Sequence, residues 1–145
     1  MKKIVDIEFG SQRYEELVEL RYKVLLEPLG LKFLDSHRDK EMGYLHVGCI
    51  EQLDDKLVGG LMLAPVDDKT IRMLQVAVDG KYQNEGIGKS LVKSAEIRAK
   101  EAGFKIIVMH AMLSVADFYA KQGYQQKGDI FEEGGVTFVK MVKKI

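Results

Sequence analysis

The chain has 145 residues, of which 46% are hydrophobic and 30% charged, a composition typical of a soluble globular domain. Its 22 basic and 22 acidic residues cancel, so charge gives no indication of binding to nucleic acid or to an anionic membrane. The single cysteine, Cys49, excludes an intrachain disulfide, and its apolar neighbours predict a buried side chain rather than a nucleophile. Acidic residues interrupt the apolar N-terminus, and no segment is long enough to span a bilayer. We therefore expect a cytoplasmic protein without a signal peptide.

The first part of the chain predicts a strand and a long helix. Alternating apolar residues indicate a strand over residues 2–9, and Ser11 can cap the helix that follows. Apolar residues recur at helical spacing until Pro28 and Gly30, which end this helix. The polar stretch 31–43 has a weak pattern, with a short helix predicted near residues 36–41.

Three strands and their turns follow. They are predicted over residues 45–52, 56–66 and 70–78. The second of them is apolar on both faces, which suits a central strand. Gly59 and Gly60 lie inside it and indicate a bulge or a close approach of another element.

The last part of the chain alternates helices and strands. A helix over residues 86–101 carries one apolar face, and a buried strand over 104–110 follows and ends at His110. Ser114 can cap a short helix that carries Tyr119, and the hairpin 124–131 and 136–142 closes the chain. The order β-α-(α)-β-β-β-α-β-α-β-β predicts one mixed α/β domain over residues 1–145.

A glycine-bearing loop between the strand 70–78 and the helix 86–101 predicts an anion site. The first turn of a helix has unpaired N–H groups and a partial positive charge, and glycines let a phosphate approach them. A Walker A loop would need glycine in place of Gln83, and a dinucleotide fingerprint would need glycine in place of Leu91. The pattern Gln/Arg-x-x-Gly-x-Gly/Ala is matched without substitution by Gln83, Gly86 and Gly88.

This last pattern resembles the GCN5-related N-acetyltransferases (GNAT), in which it holds the pyrophosphate of acetyl-coenzyme A. Further segments resemble that superfamily and its small bacterial single-domain subgroup of uncharacterised acetyltransferases. They are Phe118-Tyr119-Ala-Lys-Gln-Gly123-Tyr124, Leu20-Arg21-Tyr-Lys-Val-Leu25 with Pro28-Leu29-Gly30-Leu31, and the hairpin Phe131 to Val136 with Met141. The resemblance covers essentially the whole chain. It implies the GNAT fold: a single mixed, mostly antiparallel sheet of about seven strands flanked by about four helices.

Two departures concern ligand contacts. Many relatives carry Asn, a pantetheine contact, where this chain has Met112. The subgroup often has Pro-His in the last hairpin where Thr137-Phe138 stands here. If that histidine helps to bind the acceptor, the acceptor of this protein differs.

The resemblance implies an N-acetyltransferase that moves acetyl from acetyl-CoA to a primary amine of a small molecule or a protein, by direct attack in a ternary complex. The alternative is a catalytically silent module that binds or senses acyl-CoA. The backbone of Val76, Ala77 and Val78 would pair with pantetheine. The remaining coenzyme contacts would come from Gln83, Asn84, Glu85, Gly86, Ile87, Gly88, Lys89 and Ser90. No metal is expected, a homodimer is allowed by the resemblance, and the acceptor is not identified.

Two side chains are candidates for proton transfer. Tyr119 matches the tyrosine that protonates the leaving thiolate in several relatives, and a phenol stays protonated at neutral pH. No glutamate occupies the strand 71–78, so the base is left open between His110 and water that relays the proton to bulk solvent. His37 and His46 have no spacing that marks a site.

Overall fold

One mixed sheet runs through the structure, a computed structural model that describes residues 1–32 and 35–145. Its strands are β1 (Lys2–Ile7), β2 (Leu45–Glu51), β3 (Lys56–Pro65), β4 (Thr70–Val78), β5 (Ile106–Met112), β6 (Gln125–Gln126), β7 (Phe131–Glu133) and β8 (Val136–Lys144). The helices of the described residues are α1 (Gln12–Arg21), α2 (Asp35–Glu41), α3 (Ile87–Glu101) and α4 (Ala116–Ala120). The predicted short helix near 36–41 is confirmed as α2.

The sheet has the order β1-β2-β3-β4-β5-β8-β6, and β7 also pairs with β8. Only β4 and β5 are parallel, whereas every other pair is antiparallel. This confirms the predicted mixed, mostly antiparallel sheet with about four helices. The described residues form eight strands rather than about seven because the predicted strand 124–131 is divided into β6 and β7. Gly128, with φ of 82°, turns the backbone between them.

The two central strands part after a short pairing. β4 and β5 pair only from Thr70–Ile106 to Arg72–Val108. Beyond this point β4 contains a bulge, since Leu74 to Ala77 opposes the shorter step from Gly60 to Met62 on β3. Gln75 lies in that bulge with φ of 51°, a conformation uncommon for a residue other than glycine. β4 and β5 make no pairs beyond Arg72 and Val108, which leaves a gap between them along the bulged part of β4.

Helices approach both faces of β3 at its glycine pair. A Cβ on Gly59 would lie 3.0 Å from Ile87 and Leu91 of α3, whereas a Cβ on Gly60 would lie 2.3 Å from Leu17 of α1. Successive strand residues point to opposite faces, so α1 and α3 pack on opposite sides of the sheet. The sequence-based expectation of a close approach is confirmed, and the bulge of β4 lies opposite the same glycines.

The two helices that flank the site have the predicted apolar faces. α3 buries Ile87, Leu91, Ala95 and Ala99 against the sheet. α1 begins at Ser11, whose side chain accepts from the Tyr14 N–H, and continues beyond Arg21 as a π-helical turn (Tyr22–Leu26) and a 3₁₀ turn (Glu27–Leu29). Gly30 then ends the segment with φ of 70°. Cys49 is buried, as predicted.

Three local predictions were wrong. Ser114 does not cap α4, because it lies within a 3₁₀ turn (Leu113–Val115) and the residue before α4 is Val115. The strand predicted over 104–110 begins at Ile106 and runs to Met112, where it still pairs with Phe138. His110 therefore lies within β5 and not at its end. β1 stops at Ile7 because residues 8–11 turn the chain into α1.

Candidate active site

The glycine loop presents unpaired N–H groups at the start of α3. Asn84 and Gly86 adopt left-handed conformations with φ of 65° and 81°. The first intrahelical bond is donated by Ser90 to the Gly86 carbonyl at 3.0 Å. Within the described residues, the N–H groups from Gly86 to Lys89 have no hydrogen-bond partner. A Cβ on Gly86 would meet nothing within 4 Å, so the space before these groups is open. The loop therefore has the geometry of an anion site.

Side chains from the loop and from β1 hold it in place. Gln83 Nε2 donates to the Val78 carbonyl at 3.2 Å, which ties the loop to the end of β4. Asp79 accepts from the Lys81 N–H at 2.9 Å. Glu85 pairs with Lys2 at 2.9 Å. Gln83 thus fixes the backbone of the loop through its side chain. The spacing of the motif alone did not predict this contact.

The exposed surface of the loop is bounded by an aromatic ring. Lys89 and Ser90 have exposed side chains at the start of α3. A Cβ on Gly88 would lie 3.3 Å from the ring of Phe118, so Phe118 packs directly on this glycine. The motif therefore needs glycine at position 88 for packing and at position 86 for backbone conformation.

A cavity of about 330 Å³ lies where β4 and β5 part. Residues buried on the α3 side of the sheet contribute to its wall, namely Met73, Met109, Ala111 and Tyr119. Neighbouring strand residues, which point to the opposite face, also line it: Arg72, Leu74, His110 and Met112. The turns after α1 close it with Leu25, Leu26 and Leu29, and the last hairpin adds Glu133 and Phe138. The cavity thus reaches both faces of the sheet.

Tyr119 and Tyr124 have neighbouring rings but differ in the hydrogen bonding of their hydroxyl groups. Tyr119 lines the cavity and is 8% exposed, and its hydroxyl has no hydrogen-bond partner in residues 1–32 and 35–145. Burial raises its pKa to about 12, so the phenol is protonated at neutral pH. The ring of Tyr124 lies 6.0 Å away, and its hydroxyl donates to Glu96 at 2.8 Å. Only Tyr119 therefore has a free hydroxyl beside the cavity.

His110 is paired with an arginine that the sequence did not single out. Arg72 Nη2 donates to His110 Nδ1 at 2.9 Å. A guanidinium has no acceptor, so Nδ1 accepts and the neutral ring carries its proton on Nε2. Burial and the positive charge of Arg72 lower the pKa of His110. Its ring also packs edge-on against Phe131 at 5.2 Å. From the sequence, the alternation of side chains along β4 predicts that Arg72 and Leu74 share a face of the sheet. It does not predict that Arg72 lies beside His110.

A buried polar cluster fixes α1 against α2. Glu41 accepts from Arg21 Nη2 at 2.8 Å and from the Tyr14 hydroxyl at 2.7 Å. His46 is bonded through Nε2 to the Glu41 carbonyl at 2.9 Å, and burial lowers its pKa. The Arg21 motif and His46 thus have structural roles, and α1 is held where its continuation forms the cavity wall. The side chain of His37 lies outside the described residues.

Two features of other function classes are lacking in the described residues. Among them, no group of three or more His, Cys, Asp or Glu side chains could hold a metal ion. None of the helices in the described part of the chain has the length and apolar character needed to cross a membrane.

Comparisons with known proteins agree with this architecture. A family model described as an acetyltransferase (GNAT) domain matches residues 36–145. The uncharacterized protein YyaT of Bacillus subtilis is 33% identical over 76 residues, which are 52% of this chain and 51% of YyaT. The chain therefore matches about half the length of that relative. Because the family model matches well over half of the chain, the chain belongs to the GNAT acetyltransferase family.

Solved structures share the fold over the whole chain. The crystal structure of a candidate N-acetyltransferase from Lactobacillus plantarum has a TM-score of 0.86 and 25% identity, covering 99% of this chain and 97% of that one. A GNAT family acetyltransferase from Elizabethkingia anophelis, crystallised with acetyl-CoA bound, has a TM-score of 0.74 and 18% identity, covering 99% of this chain and 98% of that one. At such identities the likeness establishes the fold.

Proposed function

We propose that this protein transfers the acetyl group of acetyl-CoA to a primary amine, by direct attack within a ternary complex. The observation that carries this proposal is the gap between β4 and β5. β4 continues past this gap to the loop before α3, whose N–H groups are unpaired in the described residues, and the cavity at the gap is lined by Tyr119. A neighbour of the same fold that binds acetyl-CoA supports the choice of coenzyme.

The backbone beyond the bulge of β4 is suited to bind pantetheine. Ala77 and Val78 pair with β3 on one side, but the pairing of β4 with β5 has ended at Arg72. The second edge of Val76 to Val78 is therefore free to pair with the amides of pantetheine, as an added strand would. The pyrophosphate would lie at the N–H groups of residues 86–89, and Gln83, Asn84 and Glu85 would shape the approach. Lys89 and Ser90 are exposed beside it and can add side-chain contacts.

Tyr119 is the proposed general acid. The amine nitrogen attacks the thioester carbonyl, a C–N bond forms, the C–S bond breaks, and the phenol proton passes to the departing sulfur. The thiolate has a free pKa near 8.5, so protonation makes it a better leaving group. The raised pKa of Tyr119, about 12, keeps this proton available at neutral pH.

The attacking amine must also lose a proton. His110 lines the same cavity and remains the candidate base, with water as the alternative route. Its Nδ1 accepts from Arg72, so His110 can take a proton there only when Arg72 moves away. The lowered pKa of His110 keeps the ring neutral, which is the state that a base requires.

Release of free thiol from acetyl-CoA with a panel of primary amines tests the proposal. Turnover that needs both protein and amine, with formation of the N-acetyl product, is the expected result. Saturable binding of acetyl-CoA without thiol release from any amine would instead identify a silent coenzyme-binding module. The hydroxyl of Tyr119 favours turnover, because it faces the cavity and is not committed to a protein acceptor as the hydroxyl of Tyr124 is.

A further inference from the structure

Arg72 is the arginine that lines the cavity, and it differs from the others in its partners. The chain contains five arginines. In the described residues, the other four each lie within salt-bridge distance of a carboxylate: Arg13, Arg21, Arg38 and Arg98. No carboxylate of residues 1–32 or 35–145 pairs with Arg72, whose one hydrogen bond there is to His110.

The guanidinium of Arg72 is also incompletely bonded. Its Nε is buried and has no hydrogen-bond partner among the described residues, and Nη1 has none there either. Partial burial of a charge without a counter-charge is unfavourable, because water that would have solvated it is removed. A carboxylate that enters the cavity would supply both the missing charge and acceptors for a bidentate contact.

Two exposed charged residues lie near the pair formed by Arg72 and His110. Lys140 lies directly across from His110 in the pairing of β5 with β8 and adds positive charge. Glu133 is the carboxylate that lines the cavity, but it lies beyond salt-bridge distance of Arg72. Glu133 and Lys140 are both exposed, and Glu133 raises the pKa of His110 whereas Lys140 lowers it, so their charges oppose each other there. The guanidinium of Arg72 itself has no paired carboxylate in the described residues.

Apart from Gln75 and Glu133, the side chains that line the cavity around Arg72 and His110 are mostly apolar. Leu25, Leu26 and Leu29 line it from the turns after α1. Phe138 lines it from β8 and stacks on Phe131, with ring centres 5.8 Å apart. A ligand that contacts these walls and Arg72 together must combine apolar and anionic parts.

We propose that Arg72 binds a carboxylate of the acceptor, and hence that the acceptor is an amine that carries a carboxylate on an aliphatic or aromatic body. This inference rests on the proposed function, since it takes the cavity as the acceptor site. His110 is a positioning residue in this arrangement, because its Nδ1 holds one end of the guanidinium and leaves the other end for the ligand. Since Nδ1 is then occupied, the proton of the attacking amine leaves by the water route and not through His110.

Binding of a carboxylate probe tests the inference without turnover. The probe is 3-phenylpropionate, and its matched neutral control is 3-phenylpropanamide. Both are titrated by NMR chemical-shift perturbation against the full chain saturated with coenzyme A. We expect the carboxylate to bind about tenfold to a hundredfold more tightly than the amide, as a hydrogen-bonded charge pair does. We expect Arg72→Met to remove that preference and Arg98→Met to keep it.

The outcomes separate the inference from the proposed function. Equal binding of the two probes, binding of neither, or a preference that survives in Arg72→Met would overturn the role of Arg72. Thiol release with a broad amine panel decides the acetyltransferase proposal in a separate assay. Turnover with amines irrespective of a carboxylate would leave the proposed function standing and reject the carboxylate acceptor.

Discussion

Replacement of Tyr119 by phenylalanine should reduce turnover without destabilising the fold. The hydroxyl of Tyr119 has no partner in the described part of the chain, so its removal leaves no group unsatisfied. The free energy of unfolding should change little, because the hydroxyl faces the cavity and makes no hydrogen bond with the described residues. General acid catalysis contributes about 10²- to 10⁴-fold, so kcat should fall by at least about 10²-fold.

Tyr124 provides the matched control. Its hydroxyl donates to Glu96, but Lys143 also contacts Glu96 at 3.0 Å and keeps that carboxylate paired. Tyr124→Phe should therefore cost about 1–2 kcal/mol, at the low end for a hydrogen bond to a charged group. This corresponds to a fall in Tm of about 2–8 °C for a chain of this size. Its kcat should be unchanged.

The assay combines the kcat of thiol release at saturating acetyl-CoA with thermal unfolding of both variants. An unchanged kcat in Tyr119→Phe would remove Tyr119 from the mechanism. An equal loss of kcat in both variants would show that the packing of the two rings matters and not the free hydroxyl. Retained coenzyme affinity in Tyr119→Phe would place its effect on the chemical step.

Three further predictions concern packing, alkaline pH and the base. In Gly60→Ala the new Cβ would lie 2.3 Å from Leu17, and such overpacking costs about 1–3 kcal/mol, so Tm should fall by about 2–12 °C. The control Gly43→Ala has open space around its Cβ and should change Tm little. Burial raises the pKa of Tyr119 and Tyr124 above the unfolded value near 10, so the free energy of unfolding should be independent of these groups below pH 10 and should fall as pH rises above 10. Constant stability between pH 10 and 12 would contradict this. If His110 is the base, the rate should rise with pH through the lowered pKa of His110 and be level at neutrality. If the same rise on the acidic side persisted in a His110→Ala variant, the titrating group would be another residue.

Features that depend on local pattern could be predicted from the sequence. The apolar face of α3 follows from residues at helical spacing, and the loop from Gln83 to Gly88 follows from the unpaired N–H groups of a helix start. Tyr119 was found because a family motif surrounds it. Each of these features is contained within one segment of about 15 residues or fewer.

Features that depend on register between distant strands could not be predicted. The bulge at Gln75 appears only when β4 is paired with β3, and it lies just beyond the last pair that β4 makes with β5. The contact of Arg72 with His110 joins residues on β4 and β5. These strands are neighbours in the sheet but are separated along the chain by the crossover helix α3. That no carboxylate of the described residues pairs with Arg72 also follows only from the positions of all the nearby acidic residues. These contacts define the acceptor side, which is why the sequence left the acceptor open.

Isothermal titration with acetyl-CoA tests the central claim, that the gap between β4 and β5 and the loop at the start of α3 form a coenzyme site. We expect saturable one-site binding. Gly86→Glu should weaken it at least tenfold, because it places a negative side chain where the pyrophosphate would lie, whereas Gly43→Glu should leave it unchanged. Thermal unfolding checks that both variants fold. Absence of binding to the folded chain, or equal binding by Gly86→Glu, would contradict the claim.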